Sequence, residues 1–252
     1  MVKIHVLLKK EELDRERLTG KTVIVLDVLF ATSTQVAALG HGARDVIPTL
    51  DGDAALRVAA GRESGSYVLA GELDADTLPG FVQPTPLALL REDVRGRTVI
   101  QSTTNGTVAL HKSLQAAQVY AAALLNGTAV VRHVARSHPD DTVLIVCSGS
   151  ADNFNLEDFY AAGRLVALFQ QHHPGQEYSD SALAARLLAA RSDARDCLRA
   201  GRVGRMMEER GLADEVDYSA LSDVFDVVPK FEDGRLHDCA IASKPASGAE
   251  TT

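Results

Sequence analysis

The chain has 252 residues, of which 46% are hydrophobic and 24% charged, and its formal net charge is −8. No window holds the roughly 18 or more consecutive apolar residues of a membrane helix, and no dense basic run offsets the acidic charge, as nucleic-acid binding would require. The first residues become charged too early for a signal peptide, and the three cysteines lack any CxxC spacing. These features predict a cytoplasmic globular protein with reduced thiols that binds neither membrane nor nucleic acid. Its many small helical residues are compatible with a homo-oligomer.

Strand and helix patterns alternate through the first 150 residues, which favours an α/β fold with a largely parallel sheet. Strands are predicted at residues 1–8, 22–28, 45–48, 67–72, 97–104, 118–124 and 142–148, and helices at 32–39, 53–60, 106–116 and 128–137. Residues 73–96 contain Pro79, Pro84 and Pro86 and predict a long irregular segment, a kind of loop that is often functional.

The rest of the chain is predominantly helical. Helices are predicted at 156–172, 180–191 and 194–210, followed by a hairpin over 226–236 that turns at Asp233-Gly234 and by a flexible tail at 240–252. We expect a single domain over residues 1–239, or two fused lobes over about 1–95 and 96–239.

The segment from Ser102 to Thr107 has four hydroxyl groups, an amide and a glycine between a predicted strand and a predicted helix. Free N–H groups at a helix start, together with hydroxyl donors, suit phosphate or sulfonate oxygens. Threonine and asparagine are also ordinary helix caps, so the segment itself allows either role.

Polar residues also follow other predicted strands, where ligands of parallel sheets usually bind. Asp27 precedes Thr32, Ser33 and Thr34; Glu72 ends the fourth strand; and the last group is Cys147 to Ser150. Together with Ser102 to Thr107, these groups predict one shared pocket. Glu157-Asp158 is interpreted instead as a match to the dipole of the helix that begins there.

Asp27 and Glu72 are the best candidates for chemistry because a charged group at the end of an apolar strand is costly unless something pairs with it. Mg²⁺ suits one or two carboxylates plus substrate oxygens. A cap on a neighbouring helix or an ion pair with an arginine would also satisfy these carboxylates. The chain lacks the GxxxxGK[ST] loop of P-loop enzymes and the GxSxG elbow of many esterases.

A series of short motifs, in order and spacing from about residue 3 to 236, resembles the 2-phosphosulfolactate phosphatase family. The motifs are Lys3-Ile4-His5-Val6, Asp27-Val28-Leu29, Ala31-Thr32-Ser33-Thr34, Gly71-Glu72, Thr103-Thr104-Asn105-Gly106-Thr107, Cys147-Ser148-Gly149, Leu156-Glu157-Asp158, Ser179-Asp180-Ser181-Ala182 and Phe225-Asp226-Val227-Val228-Pro229. The resemblance implies a three-layer α/β/α fold and a Mg²⁺-dependent hydrolase. Its small anionic phosphoester substrate would be 2-phosphosulfolactate, converted to 3-sulfolactate and phosphate in a step toward coenzyme M.

On this hypothesis Asp27 and Glu72 are catalytic and hold the metal. The expected substrate-binding residues are Ser33, Thr34, Thr103, Thr104, Asn105, Gly106 and Ser148.

Two segments, both expected to lie in the pocket, depart from the family pattern. Phe30 stands where that pattern has arginine, and Gln83-Pro84-Thr85-Pro86 replaces a Gly-Asn-Ser-Pro sequence. Phenylalanine cannot grip an anion as arginine does, so Arg62 or Arg91 is expected to compensate. The alternatives are a different phosphoester substrate, or a non-catalytic or diverged anion-binding homologue that kept the scaffold.

Overall fold

The computed structural model describes residues 3–242, which build one mixed sheet of eleven strands flanked by helices. The strands are β1 (Lys3–Leu7), β2 (Lys21–Leu26), β3 (Asp45–Thr49), β4 (Tyr67–Leu73), β5 (Asp76–Thr77), β6 (Thr98–Ser102), β7 (Gln118–Ala122), β8 (Thr142–Cys147), β9 (Glu177–Tyr178), β10 (Pro229–Glu232) and β11 (Arg235–Asp238). The helices are α1 (Ala31–Gly40), α2 (Gly52–Ala60), α3 (Pro86–Leu89), α4 (Gly106–Lys112), α5 (Gly127–Ser137), α6 (Leu156–His172), α7 (Asp180–Ala189), α8 (Ala194–Ala200), α9 (Arg202–Glu209), α10 (Ala213–Ser219) and α11 (Cys239–Ala242), and single 3₁₀ turns cover Lys10–Glu12, Arg15–Arg17 and Leu124–Asn126.

The sheet is buried on both faces, which confirms the predicted three-layer α/β/α fold. In β2, Ile24 and Leu26 pack into one hydrophobic core, while Val23 and Val25 pack into another on the opposite face. Successive side chains of a strand point to opposite faces. The continuous apolar run of β2 is therefore explained by helices on both sides of it.

The strand order is β5-β4-β6-β3-β11-β10-β7-β2-β8-β1-β9. Parallel pairing joins β4, β6 and β3 on one side, and β7, β2, β8, β1 and β9 on the other. The hairpin of β10 and β11, predicted over 226–236, lies between these two groups and pairs antiparallel with both. It therefore joins two parallel half-sheets. These two half-sheets do not correspond to chain segments before and after residue 95. β1 and β2 lie in the half-sheet of β7 and β8, and β6 lies in that of β3 and β4.

Three element predictions need correction. The helix predicted over 194–210 is two helices that meet at Gly201, and α10 was not predicted at all. A Cβ on Gly201 would lie 2.8 Å from Glu157 Oε2, so the break brings this backbone close to α6. The tail predicted at 240–252 begins within the helical turn Cys239–Ala242, and its remaining residues lie outside the described part. None of the helices within residues 3–242 is long and apolar enough to span a membrane.

Candidate active site

A cavity of about 260 Å³ opens at the carboxyl ends of the central strands. It brings together residues that follow four strands, namely β2, β4, β6 and β8, and its far wall comes from α9. The lining residues are Asp27, Leu29, Phe30, Glu72, Asp74, Ala75, Thr104, Asn105, Ser150, Ala151, Asn155, Arg202, Val203, Met206 and Arg210. This is the position where ligands bind in parallel sheets.

A larger depression of about 530 Å³ lies elsewhere, around Asp45 and the β10–β11 turn. Asp45 begins β3, so this depression is at the amino ends of the parallel strands. None of the predicted catalytic or substrate-binding residues lines it, and of the two arginines expected to compensate for Phe30 only Arg62 does. We therefore place the candidate active site in the smaller cavity, where the strand-end carboxylates lie.

Backbone strain is concentrated around the smaller cavity. Seven non-glycine residues in the described part of the chain have positive φ, and four of them line this cavity: Phe30 (φ 109°), Asp74 (52°), Ala75 (67°) and Ala151 (48°). Such conformations cost about 1–3 kcal/mol each and persist where the surrounding structure holds them, often at functional sites. Their clustering supports this cavity as the functional one.

Asp27 follows β2, and its carboxylate lies against the start of α4, where the backbone N–H of Gly106 acts to lower its pKa. A Cβ at position 106 would lie 2.6 Å from Asp27 Oδ2 and 2.5 Å from the Cβ of Ala31, so glycine is required there. The anion at this helix start is thus Asp27 itself. Burial, followed by the charges of Asp158 and Glu72, raises the pKa of Asp27 well above its ordinary value.

Glu72 lies at the end of β4 and accepts hydrogen bonds from three donor groups. The backbone N–H groups of Ala75 and Thr104 donate over 2.6 and 2.7 Å, and the Thr104 hydroxyl lies 3.0 and 3.2 Å from the two carboxylate oxygens. Glu72 is buried to 7% exposure, and these donors compensate its desolvation. Thr104 lines the cavity as predicted, and in this structure its hydroxyl serves Glu72.

The neighbours of Thr104 have other partners. The Asn105 side-chain oxygen accepts a hydrogen bond of 2.9 Å from Lys10 Nζ, a buried ammonium group that the sequence prediction missed. Lys10 Nζ also donates to the Ser148 carbonyl over 3.3 Å. The Thr103 hydroxyl is buried and accepts from the N–H of Thr107 over 3.4 Å, so it caps α4 and does not face the cavity.

Three other predicted substrate-binding hydroxyls also lie away from the cavity. Ser33 and Thr34 are fully buried in α1, where Ser33 donates to the Val28 carbonyl over 2.6 Å and Thr34 to the Pro84 carbonyl over 2.7 Å. These bonds tie the start of α1 to its own loop and to the segment before α3. The Ser148 hydroxyl is buried without a hydrogen-bond partner. In this geometry none of the three is accessible to a ligand.

Asp158, which the sequence analysis interpreted as a match to the helix dipole, is a buried acid next to the site. Its carboxylate accepts from the N–H groups of Val28 (2.9 Å) and Gly149 (3.2 Å), and burial raises its pKa. It thereby joins the loops after β2 and β8 beneath the cavity. The spacing of Asp158 to Ala161 and Leu165 places it on the apolar face of α6, a signal that could have identified it as buried.

The cationic residues lining the cavity are Arg202 and Arg210. Neither was predicted, since both lay within a presumed continuous surface helix. Arg62, expected to compensate for Phe30, lines the depression at the other end of the sheet, and Arg91 borders a separate surface depression.

The two departures from the family pattern have different positions. Phe30 lines the cavity, as predicted, but Gln83–Pro86 does not. This segment packs against α10, where Glu215 accepts from the Thr85 hydroxyl over 2.8 Å. The expectation that both departures lie in the pocket is therefore wrong for Gln83–Pro86.

The carboxylates of Asp27 and Glu72 are the donors that could hold a metal ion at the cavity. Within residues 3–242, no group of three or more His, Cys, Asp or Glu side chains is arranged to bind a metal. Mg²⁺ commonly binds through one or two carboxylates, with water and substrate oxygens completing its shell. The raised pKa of Asp27, caused in part by neighbouring carboxylates, marks negative charge that a cation would relieve. The donor set therefore fits a magnesium ion shared with substrate.

Comparison with known proteins gives consistent matches over nearly the whole chain. A family model described as 2-phosphosulpholactate phosphatase matches residues 7–234. A protein of Symbiobacterium thermophilum named "Probable 2-phosphosulfolactate phosphatase" is 36% identical over 224 residues, which cover 88% of this chain and 95% of that one. Proteins with the same name from Caldanaerobacter subterraneus and Clostridium beijerinckii are 34% and 30% identical, and they cover 88% and 93% of this chain and 91% and 99% of their own.

Proposed function

The chain belongs to the 2-phosphosulfolactate phosphatase family, and we propose that it hydrolyses 2-phosphosulfolactate to 3-sulfolactate and phosphate with the help of Mg²⁺. The observation that carries the proposal is the cavity itself, which places Asp27 and Glu72 on the sheet side and two arginines on the α9 side. Such an arrangement suits a substrate with several anionic groups. The product would then enter a route toward coenzyme M.

On this proposal Asp27 and Glu72 hold the ion, which would polarise the phosphoryl oxygens and lower the pKa of a water molecule. The reaction forms a bond between the water oxygen and phosphorus and breaks the ester P–O bond. The electron pair of that bond stays on the substrate oxygen, which takes up a proton. Thr104 contributes by fixing Glu72 through its N–H group, and Gly106 contributes by leaving room for the Asp27 carboxylate at the start of α4.

The test is phosphate release from 2-phosphosulfolactate by the purified protein, with Mg²⁺ and with a chelator. Asp27→Asn should lower kcat at least about 100-fold, the cost of losing a well-placed group at the reacting centre. Asp140→Asn is the control, because Asp140 is exposed and precedes β8, at the opposite end of the sheet. Full activity of Asp27→Asn would remove Asp27 from the mechanism.

A second candidate function is that of a diverged homologue that binds an anion without hydrolysing it. The observation that favours it is Phe30, an apolar side chain in the cavity where the family pattern has arginine. Phe30→Arg separates the two functions. If the wild type is inert on a panel of phosphoesters and this variant gains turnover, the scaffold is intact and its chemistry was silenced at this position.

A further inference from the structure

The two arginines of the cavity belong to one short stretch of helix. Val203, Met206 and Arg210 follow one another at spacings of three and four residues and line the cavity from one face of α9. Arg202 is the first residue of α9 and Arg210 follows its last, about 12 Å further along the axis at the usual helical rise. Arg205 lies between them on the exposed side and is not a lining residue.

The cavity is lined by charges of both signs, which come from different elements. The carboxylates of Asp27, Glu72 and Asp74 lie at or just after the ends of β2 and β4. The lining cations are Arg202, which begins α9, and Arg210, which follows its last residue, and the lining also includes the apolar side chains of Phe30 and Met206. A phosphate beside the carboxylates requires a cation between these like charges, whereas an anion beside the arginines does not. The two sides therefore suit different anionic groups of one substrate.

A sulfonate fits the arginine side better than the metal side. Its oxygens are weakly basic and compete poorly for Mg²⁺, but they accept hydrogen bonds from guanidinium groups, whose fork matches two oxygens at once. Arg202 has neutral hydrogen-bond acceptors, the Ser150 hydroxyl and the Asn155 side-chain oxygen. The Arg202 charge also acts on the buried Glu157, but within residues 3–242 no carboxylate oxygen lies within ion-pair distance of its guanidinium, which can therefore still pair with an anionic ligand.

Arg210 has a carboxylate partner that a ligand could replace. Its Nη1 lies 3.0 Å from Asp76 Oδ1, and the Asp76 side chain is 84% exposed. Exposed ion pairs contribute little and exchange readily with other partners. Asp76 lies on β5, which pairs with the end of β4 that carries Glu72. The pair thus links the end of α9 to the strand that pairs with β4 beside Glu72.

We propose that Arg202 and Arg210 form the subsite that binds the sulfonate of the substrate, and that Asp76 occupies Arg210 until the substrate displaces it. This inference rests on the proposed function and assigns the specificity of that site. It makes α9 the element that distinguishes a sulfonated phosphoester from an ordinary one.

The experiment compares two substrates that differ only in the sulfonate, 2-phosphosulfolactate and 2-phospholactate, with the full-length chain. Arg202→Gln and Arg210→Gln should each raise KM for the sulfonated substrate about 10-fold or more, as expected for a charge-assisted hydrogen bond. KM for 2-phospholactate and kcat for both substrates should change less than about 3-fold. Arg205→Gln is the matched control and should leave all four values unchanged.

The role of Asp76 has its own variant. Asp76→Asn should lower KM for 2-phosphosulfolactate up to about 5-fold, because Arg210 no longer has to leave a carboxylate. The same change in the Arg210→Gln background should have no effect. An equal effect in both backgrounds would overturn the displacement.

Calorimetric titration with 3-sulfolactate gives a readout that needs no turnover. If the wild type hydrolyses neither ester but binds 3-sulfolactate through Arg202 and Arg210, the phosphatase proposal fails and the subsite stands. If hydrolysis is intact and the arginine variants weaken both substrates equally or neither, the subsite is overturned. If the wild type shows neither hydrolysis nor binding, both proposals fail.

Discussion

Gly106→Ala tests the central contact of the candidate site, where α4 begins against Asp27. The added Cβ would lie 2.5 Å from the Ala31 Cβ and 2.6 Å from Asp27 Oδ2. Carbon atoms in good contact are separated by about 3.5–4.0 Å, so these groups must move apart by about 1 Å. Two of the three nearest atoms belong to Asp27, and its carboxylate must therefore shift away from the start of α4.

The magnitude follows from two opposing effects. Overpacking a buried site costs about 1–3 kcal/mol, and replacing glycine by alanine returns about 0.4–1 kcal/mol by restricting the unfolded chain. We expect a net loss of about 1–2 kcal/mol in the free energy of unfolding. Activity should fall much further, about 100-fold in kcat, because a displacement of about 1 Å at a reacting centre has that effect.

The chain offers a matched control in its second Asn-Gly-Thr sequence. Gly127 begins α5 as Gly106 begins α4, but its nearest neighbours would be the flexible Leu165 (3.1 Å) and Leu168 (3.4 Å) side chains. Gly127→Ala should therefore cost less than about 1 kcal/mol and preserve kcat. Urea unfolding and phosphate release would be measured for both variants. Equal loss of kcat in the two, or full kcat in Gly106→Ala, would refute the reasoning.

Three further predictions follow from buried groups. Burial raises the pKa of Glu157, so its contribution to stability is present below the ordinary carboxyl pKa and is lost as pH rises through the raised pKa. The free energy of unfolding of Glu157→Gln, measured relative to the wild type, should therefore be higher at pH 8 than at pH 5, by about 1.4 kcal/mol per unit of pKa elevation. An unchanged pH dependence of urea unfolding would contradict this. Glu215→Ala should cost about 2–4 kcal/mol, because the Thr85 hydroxyl and two backbone N–H groups lose their acceptor; the exposed Glu209→Ala is its control. Chelation should abolish phosphate release and added Mg²⁺ should restore it, and full activity after exhaustive chelation would exclude the metal.

Local patterns in the sequence predict most elements but not their order in the sheet. The helix predicted over 156–172 matches α6 at both ends, because its apolar pattern is long. The hairpin over Pro229–Asp238 was also predicted, yet its position between β3 and β7 was not. Strand pairing across more than 100 residues depends on contacts that leave no short-range signal. Proline at the first position of β10 is compatible with a central strand because it lacks an N–H only where the strand begins.

The candidate site was predictable in its location and less so in its members. Residues after parallel strands meet at one edge of a sheet, so Asp27, Glu72 and Thr104 were brought together as expected. Arg202 was hidden because a continuous helix over 194–210 would have made it one of many exposed arginines. Its position depends on the break at Gly201, where the chain enters α9 in an extended conformation.

The segment from Ser102 to Thr107 shows why a helix start alone does not identify a ligand site. Its predicted anion-binding N–H groups face anionic groups of the protein itself, since Thr104 donates to Glu72 and Asp27 lies against Gly106. The segment therefore does not need to contact phosphate in order to serve phosphate chemistry. It orients two carboxylates whose mutual repulsion would otherwise separate them. Because those carboxylates repel a bare anion as well, the proposed function needs a cation at the strand ends, and the proposed subsite adds the two arginines that line the cavity.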